Sequence, residues 1–217
     1  MVVSLKASTN ADYFIGPDWY DMAVQQTQSA IAMCGKSHGG NGKVAVMQGV
    51  LTNPTSQYGI QAIEATVAAS NGDIEIVSNQ AADWDASKAK AVATTVLQAN
   101  PDLCGYIGMW DNMDVGIAAA IHEAGKQDQV KLISSGGGNQ DSACTNVENG
   151  NFATYISYDA AAQARDVMMT VRSLLQNPPA EPGAHPVALY TPLRNIDKAS
   201  MHPGSCWSLD TLRAVGP

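Results

Sequence analysis

Short apolar runs alternate with longer amphipathic segments along the chain. Six of these runs, most of them rich in β-branched residues, predict buried parallel strands. They are VVSL (2–5), KVAVMQG (43–49), DIEIVS (73–78), GYIGMW (105–110), VKLISS (130–135) and FATYIS (152–157), with VALYT (187–191) as a weaker candidate. Strands and helices that alternate at this spacing are typical of βαβ units, so we predict an α/β fold whose open parallel sheet has helices on both faces.

Turn and capping residues mark the ends of the predicted helices. The helices cover residues 18–33, 55–69, 85–99, 113–124, 140–147 and 160–175. Asn53 and Pro54 form an N-cap followed by a proline at the first helical position. Pro101 stops the third helix, and Gly125 ends the fourth. We expect residues 192–217, which follow the proline-rich connector NPPAEPGAHP (177–186), to form a tail wrapped on a surface.

Composition excludes several classes of function. The chain has 217 residues, of which 45% are apolar and 15% charged, as expected of a soluble globular protein. It contains no uncharged apolar stretch of roughly 18 residues, which a membrane span requires. The formal net charge is −8 and the 12 Lys and Arg residues are scattered without a basic stripe, so we expect no nucleic-acid partner.

Two glycine-containing motifs suggest enzymes but stand in the wrong context. GKSHG (35–39) has the form of a hydrolase nucleophile elbow, yet it follows a helix and precedes a strand, whereas the elbow needs the opposite order. SSGGGNQ (134–140) follows a strand but lacks the lysine of a phosphate-binding loop, which leaves nucleotide binding as a minor alternative. The histidines at 38, 122, 185 and 202 show no metal-ligand spacing. We therefore predict no catalytic residue, no metal and no cofactor.

Polar and aromatic residues gather where the predicted strands end. These tips read Thr52-Asn53 with Gln57 one helical turn later, NQAADWD (79–85), Trp110-Asp111-Asn112, GGGN (136–139) and Ser157-Tyr158-Asp159. In an open parallel sheet, ligands bind beyond the carboxyl ends of the strands. Indoles can cover the C–H faces of a polyhydroxylated ligand while amides, carboxylates and hydroxyls bind its hydroxyl groups.

The same tips also contain residues with ordinary structural roles. Asp85, Asp111 and Asp159 are each expected to cap the helix that follows, although a carboxylate can cap a helix and contact a ligand at once. A helix entry has no need of an indole, so we interpret Trp84 and Trp110 as ligand-facing residues.

The segment AADWDASKAKAVATTVLQANPDLCGYIGMWDNMDVGIAAAIHEAGK (81–126) resembles a run found in the sugar-binding proteins of bacterial ABC importers. These are ribose-binding-protein-like members of the type I periplasmic binding proteins, and their PADWD, LQANPDI, NDEMALGALRA and AGK motifs are followed closely. The resemblance extends from Val2 to about Tyr190. It implies two α/β lobes joined by a hinge of three crossing segments, with the ligand held when the lobes close.

On this resemblance, the chain corresponds mainly to the C-terminal lobe of a truncated receptor. Residues 1–7 would be a remnant of the N-terminal lobe and hinge, 8–152 the C-terminal ligand-binding lobe, 153–191 a hinge return with a helix and strand normally shared with the N-terminal lobe, and 192–217 a tail. The helix over 160–175 would then expose an apolar face, through which we expect the fragment to dimerise.

The family's sugar contacts correspond in this chain to Gln57, Trp84, Trp110, Gly136 and Ser157. Trp84 keeps the aromatic residue of the family. Trp110 stands where the family commonly has Asn, so we expect Asp111 or Asn112 to supply the polar contact.

Four further positions depart from the family's pattern. Gln57 stands where an Arg is often found, and Gly136 where an Asp usually binds hydroxyl groups. Lys6 and Ala7 stand where the hinge often contributes Asp and Arg. The resemblance therefore implies a sugar or polyol-like ligand, without support for ribose itself. Trp19 is interpreted as a packing residue that follows a capping Asp18.

Four widely spaced cysteines bear on the cellular compartment. Cys34, Cys104, Cys144 and Cys206 contain no C-x-x-C pair, which argues against zinc. They suit two disulfides in an exported protein or four buried thiols in a cytosolic one. The N-terminal MVVSLKASTNADYF lacks the pattern of a signal peptide, whereas the resemblance implies a periplasmic receptor. Of the three possible connectivities, we expect Cys34–Cys206 and Cys104–Cys144.

The resemblance implies a solute-binding protein without catalytic activity. Its partners would be a sugar or polyol-like ligand and the membrane permease of an ABC importer. The effector domain of a LacI-type transcription regulator shares this fold and is the alternative function, and a small Rossmann-like enzyme is a further one. The cysteines and the acidic net charge favour the exported receptor.

Overall fold

Strands and helices alternate through most of the chain, as its apolar pattern predicts. The computed structural model describes residues 2–3, 11–181, 183 and 186–215. The strands are β1 Val2–Val3, β2 Tyr13–Gly16, β3 Lys43–Gln48, β4 Glu75–Ala81, β5 Gly105–Gly108, β6 Lys131–Gly136, β7 Thr154–Ser157, β8 Val187–Tyr190 and β9 Arg194–Ile196. The helices are α1 Trp19–Cys34, α2 Pro54–Ala69, α3 Ala86–Ala99, α4 Asp111–Glu123, α5 Thr145–Glu148, α6 Ala160–Gln176 and α7 Leu209–Val215. Lys6, Ala7 and His185 lie outside the described residues.

Six strands form one twisted sheet in the order β4-β3-β5-β6-β7-β9. The first five are parallel to their neighbours, and β9 pairs antiparallel with β7 at the edge. The order reverses direction at β3, because the chain runs outward to β4 and then returns to β5 on the other side. The predicted α/β class with an open, mostly parallel sheet is confirmed.

Alternate residues of the buried strands face two separate apolar clusters. In β3, Val44 and Val46 pack in the cluster with α1 and α2, whereas Ala45 and Met47 pack in the cluster with α3 and α4. Successive side chains of a strand point to opposite faces of the sheet, so helices cover both faces, as predicted. This packing fixes the carboxyl ends of the strands and the loops that leave them.

A second sheet contains three parallel strands, in the order β1-β2-β8. Strand β2 falls within the range 8–152 that is predicted as the C-terminal lobe, but it pairs with β1 and β8. The predicted division of the chain into lobe, hinge and tail stays a prediction. Neither β2 nor β9 was expected from the sequence, because runs of four and three residues carry too little periodicity to stand out.

Side chains cap several helices as expected. Asn53 accepts a hydrogen bond from the backbone N–H of Thr55, Asp85 from Lys88 and Asp159 from Ala162. These interactions satisfy N–H groups that a helix start leaves without intrahelical partners. Asp18 likewise accepts from Tyr20 N and Asp21 N, so its predicted capping role is confirmed.

The prediction that Asp111 is the N-cap of α4 is wrong, although its Oδ1 accepts a hydrogen bond of 2.7 Å from the backbone N–H of Asn112 in the first turn. Trp110 is the N-cap residue of α4, and Asp111 is its first helical residue. The carboxylate of Asp111 lies below the end of the sheet, where it accepts hydrogen bonds from the Tyr155 and Ser142 hydroxyls. Because α4 begins at residue 111, one residue earlier than a cap at Asp111 requires, the Asp111 side chain lies in a buried polar network.

The chain contains two disulfides, but the predicted connectivity is wrong. Cys34 pairs with Cys104, and Cys144 pairs with Cys206. Cys34 ends α1 beside the start of β5, which Cys104 immediately precedes. Cys144 and Cys206 belong to the apolar cluster on the opposite face of the sheet, so neither reaches Cys34 or Cys104.

The C-terminal residues form short elements instead of a patternless tail. β9 extends the large sheet, and α7 follows near the end of the described chain. The predicted helix over 140–147 is a π-helical segment, Gln140–Cys144, followed by the short α5. Among the helices of the described residues, none has the length and apolar character to cross a bilayer.

Candidate functional site

A cleft of about 310 Å³ opens at the carboxyl ends of the parallel strands of the large sheet. Each strand from β3 to β7 contributes to it, either by its last residue or by the residues that follow. The lining residues are Trp19, Met22, Asn53, Thr55, Trp84, Met109, Trp110, Gly136 and Tyr158. This is the edge at which open α/β sheets bind ligands.

Two indoles form a right-angled corner in the cleft. The rings of Trp84 and Trp110 have centroids 6.1 Å apart and planes at 84°. Trp84 follows β4 and Trp110 follows β5, and β3 lies between those two strands. Both side chains are half-buried and pack against the apolar clusters beneath them, so the corner is held rigidly.

The backbone at Trp84 adopts a conformation that non-glycine residues rarely take. Asp83 and Trp84 have φ angles of 53° and 64°, in the left-handed region. Such residues cost about 1–3 kcal/mol each and persist where the surrounding structure holds them in place. Gly49, directly after β3, lies against the ring of Trp84, since a Cβ atom at position 49 would come within 2.0 Å of the indole. The position of the Trp84 indole therefore depends on two local features, the left-handed backbone at Asp83 and Trp84 and the absence of a side chain at Gly49.

Trp19 and Tyr158 line the same cleft. Their rings also meet nearly edge to face, with centroids 5.6 Å apart. Trp19 begins α1, directly after the cap Asp18, and it borders a neighbouring cavity of about 320 Å³ next to β2 and β8. The sequence interpretation of Trp19 as a packing residue missed this position. The proximity of GPDWYD to a strand end could have indicated it, had β2 been recognised.

Gly136 lies over a buried hydrogen-bond network. The Tyr155 hydroxyl donates to Asp111 Oδ2 at 2.7 Å, the Ser142 hydroxyl donates to the same oxygen at 3.0 Å, and Gly138 N donates to Tyr155 Oη at 3.0 Å. A Cβ atom at Gly136 would lie 2.7 Å from Tyr155 Oη and 2.9 Å from Asp111 Oδ2. Position 136 therefore cannot carry a side chain while Asp111 fills that space.

A second buried carboxylate lies next to this network. Asp114 is fully buried, its Oδ2 accepts a 2.6 Å hydrogen bond from the Ser134 hydroxyl, and it lies against Gly108. Burial raises the pKa of Asp114 well above its usual range, and the nearby Asp111 raises that pKa further, against a lowering by Ser134. Burial also raises the pKa of Asp111, although the hydrogen bonds from Tyr155 and Ser142 oppose the shift.

We expect Asp114→Asn to gain stability relative to the wild type as pH rises. The folded chain keeps the Asp114 proton to higher pH than the unfolded chain, so ionisation of this group lowers the free energy of unfolding above pH ~4. The asparagine keeps the shape and an acceptor for Ser134 without the charge. Urea unfolding at a series of pH values should show the difference growing by at most about 1.4 kcal/mol per pH unit, until Asp114 is ionised in the folded state.

Asp102→Asn is the matched control, because Lys43 lowers the pKa of that exposed carboxylate by a hydrogen bond and ion pair. Its pH-dependent effect should have the opposite sign and be confined to pH below about 4. A stability difference between wild type and Asp114→Asn that stays constant from pH 4 to 8 would contradict a pKa of Asp114 that burial raises in the folded chain.

The predicted ligand-binding residues do not all reach the cleft. Trp84, Trp110 and Gly136 lie together in it. Gln57 on α2 and Asn112 on α4 are exposed beside it. Asp111 is buried in the network below Gly136, and Ser157 is buried below Gly138, where its hydroxyl accepts from Asp159 N. The structure thus places Asp111 and Ser157 as supports of the cleft's floor.

The C-terminal segment holds the glycine loop that follows β6. Trp207 Nε1 donates to Gly137 O at 2.8 Å, and Trp207 N donates to Gly138 O at 2.9 Å. Gln140 N donates in turn to Trp207 O, and the Cys144–Cys206 disulfide ties the same two segments covalently. Gly136 therefore lines the cleft from a loop that is fixed on its far side. No group of three or more His, Cys, Asp or Glu side chains suited to a metal ion occurs within the described residues.

Comparison with known proteins gives a consistent result. A family model described as a periplasmic binding protein domain matches residues 1–179. The D-allose-binding periplasmic protein of Escherichia coli K12 is 35% identical over 133 residues, which are 61% of this chain and 41% of that protein. The D-ribose/D-allose-binding protein of Pseudomonas aeruginosa is 31% identical over 91 residues, 42% of this chain and 28% of that protein. The chain thus spans less than half the length of these relatives.

A solved structure shares the fold. The glucose-galactose-binding protein of Geobacillus stearothermophilus superimposes with a TM-score of 0.78 at 17% identity, over 92% of this chain and 67% of that one. At this identity, the similarity concerns the fold alone.

Proposed function

The chain belongs to the periplasmic binding protein family, and on that premise we propose that it is the ligand-binding part of a receptor that delivers a sugar or polyol-like molecule to an ABC importer. It binds without chemical conversion, outside the cytoplasm, and its further partner is the membrane permease. The names of the curated relatives, which refer to D-allose and D-ribose, support the sugar class.

The corner of Trp84 and Trp110 is the observation that carries this proposal. A sugar ring has C–H groups on its faces and hydroxyls around its edge, so one indole can cover a face while polar groups bind the edge. Asn53, Thr55 and the Tyr158 hydroxyl supply such groups around the corner. Closure of a second lobe over this wall would remove the bound sugar from water and present the closed form to the permease.

Titration calorimetry with a panel of monosaccharides tests the proposal. The panel contains D-allose, D-ribose, D-arabinose, D-galactose, D-glucose and D-fructose, with an amino-acid panel as the control class. We expect saturable binding of at least one sugar and none of the amino acids. Binding of an amino acid, or no binding of any sugar at tens of millimolar, would contradict the proposal.

The exposed face of α6 is expected to associate with a second copy of the chain. Met168 is 69% exposed and Leu175 is 80% exposed, and Val171 lies between them on the same helical face. No residue of α6 is buried. An apolar stripe of this kind is typical of an interaction surface. Sedimentation velocity should show a fraction of dimer that increases with protein concentration. The double variant Met168→Glu/Leu175→Glu should stay monomeric. A wild-type chain that stays monomeric at all concentrations would contradict this association.

A further inference from the structure

The second cavity, of about 320 Å³, is lined by residues of the three-stranded sheet and of α1 and α2. Its lining contains one carboxylate, that of Asp18. Of the described residues that line it, none is a lysine, arginine or histidine, and none carries an amide or an aliphatic hydroxyl. Five are aromatic, and these are Phe14, Trp19, Tyr20, Tyr58 and Tyr190. The cavity therefore combines aromatic surface with a single negative charge.

The pairing of β2 with β8 brings two of these rings together. Tyr190 pairs with Gly16, and Phe14 lies two residues before that glycine on β2. Residues two apart on a strand point to the same face, so Phe14 and Tyr190 share one face of the small sheet. Since Gly16 has no side chain, the two rings can meet, edge to face with centroids 5.7 Å apart. Trp19 on α1 is held by a similar contact with Tyr158. Aromatic surface thus reaches the cavity from the sheet and from α1.

The charge at the start of α1 is negative on balance. Asp18 is the N-cap, and among the described residues both hydrogen bonds to its carboxylate, from Tyr20 N and Asp21 N, go to Oδ1. Its Oδ2 is therefore left for a ligand. A helix start carries roughly half a positive charge, whereas Asp18 and Asp21 together carry two negative ones. A cation in the cavity is therefore attracted to Asp18.

A methylated ammonium group matches this lining better than a primary ammonium or a neutral sugar. Aromatic rings attract cations through their quadrupole, and aromatic cages typically bind quaternary ammonium groups. The tyrosine hydroxyls and Asp18 can accept hydrogen bonds from a primary ammonium, but that group is strongly hydrated and loses more water on entry. Methyl groups gain from burial against the rings. A neutral sugar gains nothing from the charge of Asp18 beyond a hydrogen bond.

We propose that this cavity binds a methylated ammonium compound of the size of choline, with its cationic group against the aromatic rings and beside Asp18. A volume of about 320 Å³ is at the small end of the range for small-molecule sites, as a ligand of this size requires. The site is distinct from the proposed sugar cleft, although Trp19 lines both, and it does not depend on sugar binding.

Calorimetric titration of the 217-residue chain with choline tests the proposal. The neutral comparison is 3,3-dimethylbutan-1-ol, which has the shape of choline with carbon in place of nitrogen, and ethanolamine is the primary ammonium comparison. We expect choline to bind saturably, and both other compounds to bind about tenfold more weakly or less. Equal binding of the neutral alcohol would overturn the recognition of charge, and equal binding of ethanolamine would overturn the preference for methylated ammonium.

Three variants locate the bound cation. Asp18→Asn removes the charge but keeps a residue that caps helices equally well, and it should weaken choline binding about tenfold. Asp21→Asn is the matched control, because Asp21 carries the same charge in the same helical turn without lining the cavity, and its effect should stay within about twofold. Tyr190→Leu keeps an apolar side chain but removes a ring, and it should weaken binding about tenfold.

The proposal fails if choline does not saturate the chain at tens of millimolar. It also fails if either Asp18→Asn or Tyr190→Leu binds choline as tightly as the wild type, because the cation then lies elsewhere. Thermal unfolding of each variant establishes that it is folded, and Tyr190 is 59% exposed, so its replacement leaves the core intact. The comparison of choline with its neutral analogue uses the wild-type chain and decides the question without any variant.

Discussion

Replacing Trp84 with alanine is expected to weaken sugar binding by about 30-fold. Trp84 forms one side of the indole corner, and aromatic residues at the centre of a binding surface commonly contribute about 2 kcal/mol or more to binding. That loss corresponds to a factor of about 30 in affinity. Trp84 also packs against both apolar clusters, so the substitution should lower the free energy of unfolding by about 3 kcal/mol.

Two further substitutions at the same position separate binding from folding. Trp84→Phe keeps an aromatic face and should retain most of the affinity. Trp84→Gly should bind no better than Trp84→Ala but be more stable by about 1 kcal/mol, because φ at this residue is 64° and glycine adopts that conformation without strain. Calorimetric titration and urea unfolding of the three variants measure both effects. Wild-type affinity in folded Trp84→Ala would contradict the assignment of the cleft.

Gly49→Ala is expected to have nearly the same effect on binding, although residue 49 does not line the cleft. Its Cβ atom would lie 2.0 Å from Trp84 Cε2 and 2.1 Å from Cζ2, which is closer than atoms can approach. Because the backbone of Trp84 is held in the left-handed region, we expect the indole side chain to rotate away from Trp110. We expect a loss of affinity of about 30-fold and a stability cost of about 1–3 kcal/mol.

The clash with Trp84 can be isolated by a double-mutant cycle. Once Trp84 is alanine, Gly49→Ala has no ring to meet, so the double variant should be little less stable than Trp84→Ala alone. Gly39→Ala serves as the control for a general glycine replacement, because no atom lies within 4 Å of its Cβ and only its φ of 86° is strained. Additive stability effects at positions 49 and 84 would show that the two residues do not press on each other.

The sequence predicts the strands, helices and helix caps better than it predicts the contacts between distant segments. In β3, the order of residues along the strand determines which of the two apolar clusters each side chain packs in, and this order can be read from residues 44–47 alone. Helix caps such as Asn53 and Asp159 likewise depend only on neighbouring residues. Pairing between distant segments has no such pattern. Four cysteines allow three connectivities, and only the position of α1 beside β5 selects Cys34–Cys104.

The cleft shows the same difference between residues with a local signal and residues placed by distant contacts. The position of Trp84 and Trp110 in the cleft could be predicted, because a helix entry does not require an indole. Their contact with a ligand stays a prediction. Asp111 could not be placed, because its role depends on Tyr155 and Ser142, which are remote in sequence and meet it only after the sheet has formed. Position 136 illustrates the point best, since the sequence shows only a glycine there, whereas the structure shows that the carboxylate of Asp111 from α4 fills the space of its side chain.

The four tryptophans allow a direct measurement of where a sugar binds. Each indole N–H gives one signal in a ¹H–¹⁵N correlation spectrum of the labelled chain, and single Trp→Phe variants assign the four signals. On titration with the sugar that binds best, the signals of Trp84 and Trp110 should shift progressively and saturate together. The signal of Trp207 should stay in place, because its N–H is bound to Gly137 O on the far side of the glycine loop. A sugar that saturates the chain while the signals of Trp84 and Trp110 do not move would contradict the proposed site.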